Sequence, residues 1–435
     1  MIMQASLVVL DGLKRQLEVQ LPAEQFESAL QQRLQTLAKS SKLNGFRKGK
    51  VPMKVIQQRY GNSVKQEILA NLIQHSFQQA ARDQNLKPAC APRITSTSAE
   101  PGHDVKYTAL FEISPDYEIA DLSKINVTKP VVAITDSDVD NTLEKLRLQQ
   151  ADWETVTRGA TTGDQVKIDF AGTTSGEAFA GSNGSNTVIT LGEQQMPADF
   201  EQKLDGIKKG EQRTIEIVFP ADFANTSLQG KQATYAVDCK DVYEPQLPDL
   251  DEAFAKLYGF EDGSVDSLRA GVKLQLEKEL TKNIQSHINK QVMDSVIELH
   301  DIPLPEMLIE NHINQLQYET LQRMGLKETD KERLPQAHFA ARARKLVHMG
   351  IVGARLVDEM HIVANKQAVQ GKIEAAICDY EDPEEMLRYY QKNPDAMERF
   401  RLLAVEDQLV AEILKQAQVN EQQMSFDELI AFNTK

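Results

Sequence analysis

Apolar and polar residues alternate along ASLVVLDG (5–12) and RQLEVQLP (15–22), the period-two pattern of paired strands, with Asp11-Gly12 as the turn. The period then lengthens. In PAEQFESALQQRLQTLAKS (22–40), Phe26, Leu30, Leu34 and Leu37 fall on one side of a helix. VPMKVIQQRYG (51–61) and NSVKQEILANLIQHSFQQAARDQN (62–85) read as two more helices, and residues 87–115 as strands returning to the sheet. Residues 117–135 are extended and apolar, and TDSDVDNTLEKLRLQQ (135–150) opens a helix with acidic first-turn chemistry. That helix stands alone in sequence and needs a partner elsewhere.

Between 151 and 245 glycines cluster, and DQVKIDFAG, NTVITLG, EQRTIEIVFP and QATYAVDCKDV read as strands around one short helical piece, ADFEQKLDGI. From Leu250 onward the pattern is helical. Residues 263–302 fit one long helix or two, Pro303 and Pro305 interrupt, and further helices run to a last one opened by a Ser425–Glu428 capping box. The stretch 394–419 reads as one helix. A helix before the β module and a helical region after it imply a module inserted between parts of one helical body. No fixed period recurs, which excludes a solenoid.

Length and composition narrow the class. A chain of 435 residues exceeds one core, so roughly two to four domains are expected. Aromatic content is 6% with one tryptophan, Trp153, which suits helices more than sandwiches. Cys90, Cys239 and Cys378 are scattered with no CxxC pair, pointing to a reducing compartment. The opening MIMQASLVVLDGLKRQ has a short apolar run broken by Asp11 and does not read as a signal peptide, and no stretch reaches the length of a membrane span. The expectation is a cytoplasmic protein without a membrane partner.

Charge is unevenly spread. Residues 29–66 hold no Asp or Glu but nine basic residues, and 1–114 carry 15 basic against 9 acidic residues. That segment is therefore +6, leaving −21 for the rest of a chain whose total is −15. Its centre is LNGFRKGKVP (43–52), where Gly45 and Gly49 exclude a regular element and Arg47, Lys48 and Lys50 surround Phe46. Such asymmetry implies an anionic partner for one end of the molecule. Pro52 fits the first turn of the helix that follows.

Catalytic signatures are scarce. The chain has no GxSxG, P-loop or HExxH, and His348 and His361 are thirteen apart, so neither a metal nor a cofactor is expected. The β module gathers much of the scarce aromatic content: Phe170, Phe179, Phe200, Phe219, Phe223 and Tyr235, with Met196 beside the short helix. A plain β core explains this, and so does an open apolar pocket.

The module is similar to FK506-binding-protein-type peptidyl-prolyl isomerases. The resemblance implies an enzymatic pocket lined by Phe170, Phe179, Met196, Phe200, Phe223 and Tyr235, with Asp169 beside it. Such a pocket needs no cofactor, because an apolar surround weakens the imide resonance behind a rotation barrier of about 18–20 kcal/mol. The chain departs from that family's pattern at Ala180, where an acid is usual, and at Pro197-Ala198-Asp199, where Ile-Pro-Gly is common.

The whole chain resembles bacterial trigger factor, at GFRKGKVP (45–52), KPACAP (87–92), the isomerase module and YEDPEEMLRYYQKN (380–393). The resemblance implies a multidomain α+β protein: a ribosome-binding α+β domain (1–114), a linker and helix packing on the helical body (115–150), a β-rich isomerase domain (151–245) and an all-α chaperone domain (246–435). By the same resemblance Gly45, Phe46, Arg47, Lys48, Gly49 and Lys50 dock on the large ribosomal subunit near the exit tunnel. The partners are nascent and unfolded polypeptides, with roles in folding, export and cell division, and a homodimer off the ribosome is left open. A Met and Leu stripe, Met307, Leu308, Leu316, Leu321 and Met324, reads as buried core or as an adaptable client surface. Two other readings stand beside this one. The first is a free cytosolic proline isomerase with substrate-binding helical flanks. The second, an RNA-binding protein, is weaker, since the basic run has one aromatic and no repeated stacking platform.

Overall fold

The structure, a computed structural model, describes residues 3–41, 46, 51–100, 102–174, 176–179, 181–193, 195–220, 228–378, 380 and 382–433. The N-terminal region runs β1 (Gln4–Val9), β2 (Lys14–Leu21), α1 (Ala23–Ser40), α2 (Met53–Asp83), β3 (Arg93–Ser98) and β4 (Val105–Glu112). Then come β5 (Asn126–Val131), α3 (Asp136–Gln149), β6 (Asp152–Thr155), β7 (Gln165–Thr173), β8 (Asn183–Thr190), α4 (Ala198–Leu204), β9 (Gln212–Val218) and β10 (Gln232–Gln246). The rest is helical but for one strand: α5 (Glu252–Leu257), α6 (Val265–Leu299), α7 (Glu306–Arg323), α8 (Ala337–Glu359), α9 (Lys366–Ile377), α10 (Pro383–Lys392), α11 (Pro394–Leu414), β11 (Gln418–Gln423) and α12 (Phe426–Asn433). Two compact units result, Met1–Lys129 with Ser286–Glu421, and Pro130–Gln285 with Gln422–Lys435. Among the described residues no helix is long and apolar enough to cross a membrane.

In the first unit an antiparallel sheet of order β1-β2-β4-β3 lies against α1 and α2. Alternation on β2 and β4 sends Leu17, Val19, Leu21, Tyr107, Ala109 and Phe111 into a core with Phe26 and Phe77. Beyond the sheet the two helices build a small core of their own from Leu34, Val51, Ile56 and Val64. The sequence pattern divides α2 after Gly61, but the helix is continuous. Burial of Ile56 and Val64 on either side outweighs a glycine cost of about 1 kcal/mol. Pro52 precedes the first helical residue and is not part of the first turn.

The helical part of this unit pairs α7 with α8 through Ile309, Ile313, Leu316, Ala343 and Val347, and sets α11 against α8 and α9. Residues 263–302 resolve into one helix, α6. The helix expected to reach Val419 stops at Leu414, and 418–423 forms a strand whose Gln418 N–H donates to Ile125 O at 2.9 Å. Nothing in its exposed, polar sequence marks it as β; the partner β5 does. The side chain of Gln291 satisfies both backbone groups of Thr128, at 3.0 and 2.8 Å. His300 is buried, with Nδ1 bonded to Val296 O at 2.7 Å and Nε2 accepting from Ala120 N–H at 3.0 Å, which fixes the ring's orientation.

In the second unit α3 carries the capping box Thr135–Asp138 and buries Val139 and Leu143. They meet Phe254, Leu268, Val272 and Leu276 from after the β module, and Phe426 and Leu429 from the chain's last helix. The β module is a five-stranded sheet of order β6-β10-β7-β8 with β9 also on β10.

One long-range contact fixes the start of α7. Its N-cap, Pro305, offers no side-chain acceptor, and Glu112, buried at the end of β4, instead accepts the Met307 N–H at 2.7 Å. A carboxylate there also meets the positive end of the helix dipole. Glu112→Ala is expected to cost about 1–2 kcal/mol and to speed amide exchange in the first turn of α7 selectively. Glu112→Gln, which keeps an acceptor, should retain most of that protection. Hydrogen-exchange mass spectrometry of the full chain distinguishes the two, and unchanged α7 exchange in both would refute the assignment.

Candidate functional site

The aromatic residues of the β module converge. On β7, Val166, Ile168 and Phe170 face inward with Ile215 and Ile217 of β9, Tyr235 and Val237 of β10, and Phe200 and Leu204 of α4. Tyr235 lies at the centre: its ring centroid is 5.1 Å from Phe200, 6.0 Å from Phe170 and 6.2 Å from Phe179. Phe179 in turn meets Phe219 edge-on at 5.9 Å. Most of these pairs are edge-to-face, the arrangement that ring quadrupoles favour. Phe179 and Met196 are only partly buried and form the accessible side of the cluster.

Two glycines make room for the rings. Gly172 stands opposite Tyr235 across β7 and β10, and a Cβ there would lie 2.5 Å from the Tyr235 ring. Gly184 stands opposite Phe170 across β7 and β8, with the corresponding approach 2.6 Å. Bare backbone at these two points lets each ring lie over the neighbouring strand. The turn before α4 is held by Glu201, a buried carboxylate accepting Gly192 N–H at 3.0 Å and Met196 N–H at 2.9 Å. Sequence reasoning passed over Glu201; the signal was an acid in the first turn of a short helix, facing inward.

Asp169 does not belong to this cluster. Strand alternation places it on the opposite face of β7 from Phe170, where it accepts the Asn186 N–H at 2.7 Å and pairs with Lys240 at 3.2 Å. The Asn186 amide and then Lys240 hold its carboxyl below the usual carboxylate range. Asp169 therefore stitches β7 to β8 and does not border the rings. Burial pushes the Tyr235 hydroxyl above the ordinary phenol range, so it stays protonated around neutrality. Phe223 and Ala180 lie outside the described residues.

A second candidate site is the tip of the α1–α2 hairpin. Phe46 is 41% exposed there, and Lys39, Lys54 and Arg59 are exposed on the flanking helices. Gly45, Arg47, Lys48, Gly49 and Lys50 lie outside the described residues. Arg33 is neutralised by Glu67 at 2.9 Å, so it contributes little to the tip's field.

The Met and Leu stripe of α7 divides. Leu316 and Leu321 are 7% and 2% exposed and belong to the helical core, which rules them out as a surface. Met307 and Leu308 are half-buried, and Met324 is 59% exposed. Sequence reading missed the exposed Tyr318, Val363, Tyr389, Leu402 and Leu403. No pattern signal separates Leu402-Leu403 from the adjacent pair Leu409-Val410, which is buried on the same helix. Tyr389, Tyr390 and Phe400 form a chain of ring contacts at 5.6 and 5.1 Å.

The chemistry available is apolar enclosure of a ring, phosphate attraction and apolar holding. Among the described residues no group of three or more His, Cys, Asp or Glu is placed to hold a metal ion.

Comparison with known proteins gives these sites a common context. Models of the bacterial trigger factor protein match residues 3–146 and, for its C-terminus, 264–415; a model of FKBP-type peptidyl-prolyl cis-trans isomerase matches 156–240. The trigger factor of Alkalilimnicola ehrlichii is 40% identical over 99% of this chain and 96% of its own. That of Thioalkalivibrio sulfidiphilus is 39% identical over 98% of each. A solved structure of the trigger factor chaperone covers 95% of this chain and 99% of its own at 19% identity and a TM-score of 0.45, and the assignment rests on the sequence relatives instead. The chain belongs to the bacterial trigger factor family and carries that family's FKBP-type peptidyl-prolyl cis-trans isomerase domain.

Proposed function

We propose that this chain docks on cytoplasmic ribosomes near the exit of the nascent chain, through the loop Gly45, Phe46, Arg47, Lys48, Gly49 and Lys50. There it holds unfolded polypeptides while its isomerase domain acts on their prolines. The observation that carries the reading is the acid-free basic segment at the end of a helical hairpin with its own apolar core. A ribosome surface is rich in phosphate, and basic side chains gain affinity there by releasing counterions. Phosphate contact gives no address, so Phe46 and the shape of the loop supply it. In this reading residues 1–114 are the docking domain, 115–150 a linker plus a helix that packs on the helical body, 151–245 the isomerase and 246–435 the holding domain. Export of held chains and support of cell division follow as family roles, and a homodimer off the ribosome is compatible with this reading.

Clients contact the exposed part of the helical region, Met324 together with Tyr318, Leu402 and Leu403, and not the buried Leu316 and Leu321. The isomerase pocket is the ring cluster of Phe170, Phe179, Met196, Phe200 and Tyr235, completed by Phe223. It works by surrounding the imide with apolar groups and favouring the twisted bond, with no proton transferred. Asp169 acts through the sheet, by fixing β8 against β7.

Docking is tested by co-sedimentation with ribosomes across a salt series. Replacing Phe46, Arg47 and Lys48 together by alanine should abolish binding at ordinary ionic strength. In the residual low-salt binding, the slope of log K against log salt should fall by roughly 1.5–2, because two phosphate contacts are lost. Unchanged co-sedimentation would leave a free cytosolic isomerase as the better reading.

Turnover is tested on a proline-containing peptide. Phe179→Ala, at the half-buried rim, should lower kcat/KM by about tenfold or more, equivalent to ~1.4 kcal/mol, without changing ribosome binding. Gly184→Ala, which drives a methyl into the Phe170 ring, should cost turnover and thermal stability together. Wild-type turnover in both variants would show that the rings are core and not a pocket.

A further inference from the structure

The N-terminal sheet ends at β3, which among the described residues has no strand on its outer side. Beside that edge runs an apolar groove of about 670 Å³, walled by Leu69, Ala70, Ile73 and Phe77 of α2 and by Pro92 and Ile94 at the start of β3. No residue lining it is charged, although residues 1–114 carry a net positive charge; its polar positions are mainly glutamines. The opposite face of the sheet is polar, with Glu18, Gln20, Ser96 and Lys106.

We propose that this edge captures an extended, uncharged segment of an unfolded polypeptide as a fifth strand, with alternate apolar side chains seated between β3 and α2. The inference rests on the holding function proposed above and gives it a site in the N-terminal domain. A strand edge offers unpaired backbone groups, and a groove beside it offers places for every second side chain, the two requirements of recognition by strand addition. Charge decides the occupant. A charged side chain in this groove would be desolvated with no partner, which excludes nucleic acid and charged peptide segments. Length is limited too. Pro92 has no N–H to offer, β3 covers six residues, and its pairing with β4 shifts register between Ile94 and Ser96. Such irregularity at an edge disfavours long pairing between copies of the chain and leaves room for a short guest.

The test uses the full chain and an acetylated, amidated peptide of about eight residues alternating valine and threonine, long enough to span β3. One central valine is replaced by a benzophenone amino acid. Irradiation should join it to Leu69, Ile73 or Ile94. Ala70→Glu, at an exposed helical position, should reduce those adducts about tenfold while leaving adducts elsewhere unchanged. N-methylation of alternate peptide amides should abolish the adducts in one register and spare them in the other, as backbone pairing requires. The proposal is overturned if adducts fall only in 156–240 or 265–433, if Ala70→Glu has no effect, or if the groove is crosslinked to a second copy of the chain instead. Suppression of aggregation by the wild type is measured alongside. Its absence removes the holding function itself, whereas suppression without groove adducts removes only this site.

Discussion

Trp153 on β6 stands opposite Pro245 on β10, and this short antiparallel pairing is the constraint on which the second unit depends. The β module enters and leaves at the same point, so it can interrupt a helical core without separating its halves. Val139 and Leu143 come before the interruption, Leu268 and Leu276 after it, and Phe426 and Leu429 from the last helix, yet all six lie in one cluster. Closing loops of this length through a disordered chain would cost entropy that grows with the logarithm of length. A folded insert with adjacent ends reduces that closure to the short connection from α3 to β6. Two further bonds reinforce it: Arg147 Nε donates to Pro248 O at 2.7 Å and the Tyr258 hydroxyl donates to Leu146 O at 3.2 Å.

The same economy of local cores explains how one chain keeps incompatible surfaces. A basic tip loses its value if acidic neighbours neutralise it, and the acid-free run from 29 to 66 prevents that. The hairpin that carries the tip is then held chiefly by the apolar contacts of Leu34, Val51, Ile56 and Val64, with the Arg33–Glu67 pair adding an acid–base contact between its helices. Across the remaining residues a charge of −21 accompanies exposed apolar side chains such as Val363 and Leu402, and repulsion between like charges keeps such surfaces dispersed.

What could be read in the sequence was local. Period-two and period-3.6 patterns located the strands and helices, and the ring-bearing positions of the β module were visible because aromatics are scarce elsewhere. What escaped was set by partners far along the chain. The strand at 418–423 is polar and exposed, and β5, nearly three hundred residues earlier, makes it a strand. The role of Glu112 depends on a backbone amide 195 positions away. Leu316 and Met324 carry the same pattern signal, and only the packing of α8 against α7 separates core from surface. Asp169 was misplaced for a simpler reason: neighbours on a strand point to opposite faces, so adjacency to Phe170 argued against a shared site.

Holding and isomerising are linked by time. Uncatalysed proline isomerisation takes tens to hundreds of seconds, far longer than collapse or helix formation. A held chain released with the wrong isomer exposes its apolar segments again, so a holder without an isomerase must repeat its work. In the function proposed above, the ring cluster answers this without acid–base chemistry. Its one ionisable member among the described residues, Tyr235, is kept protonated by burial, and the charged Asp169–Lys240 pair lies on the other face of the sheet. An apolar site of this kind recognises the proline ring and little of its surroundings. In the proposed reading it can therefore serve clients as varied as those held by an exposed Met and Leu surface.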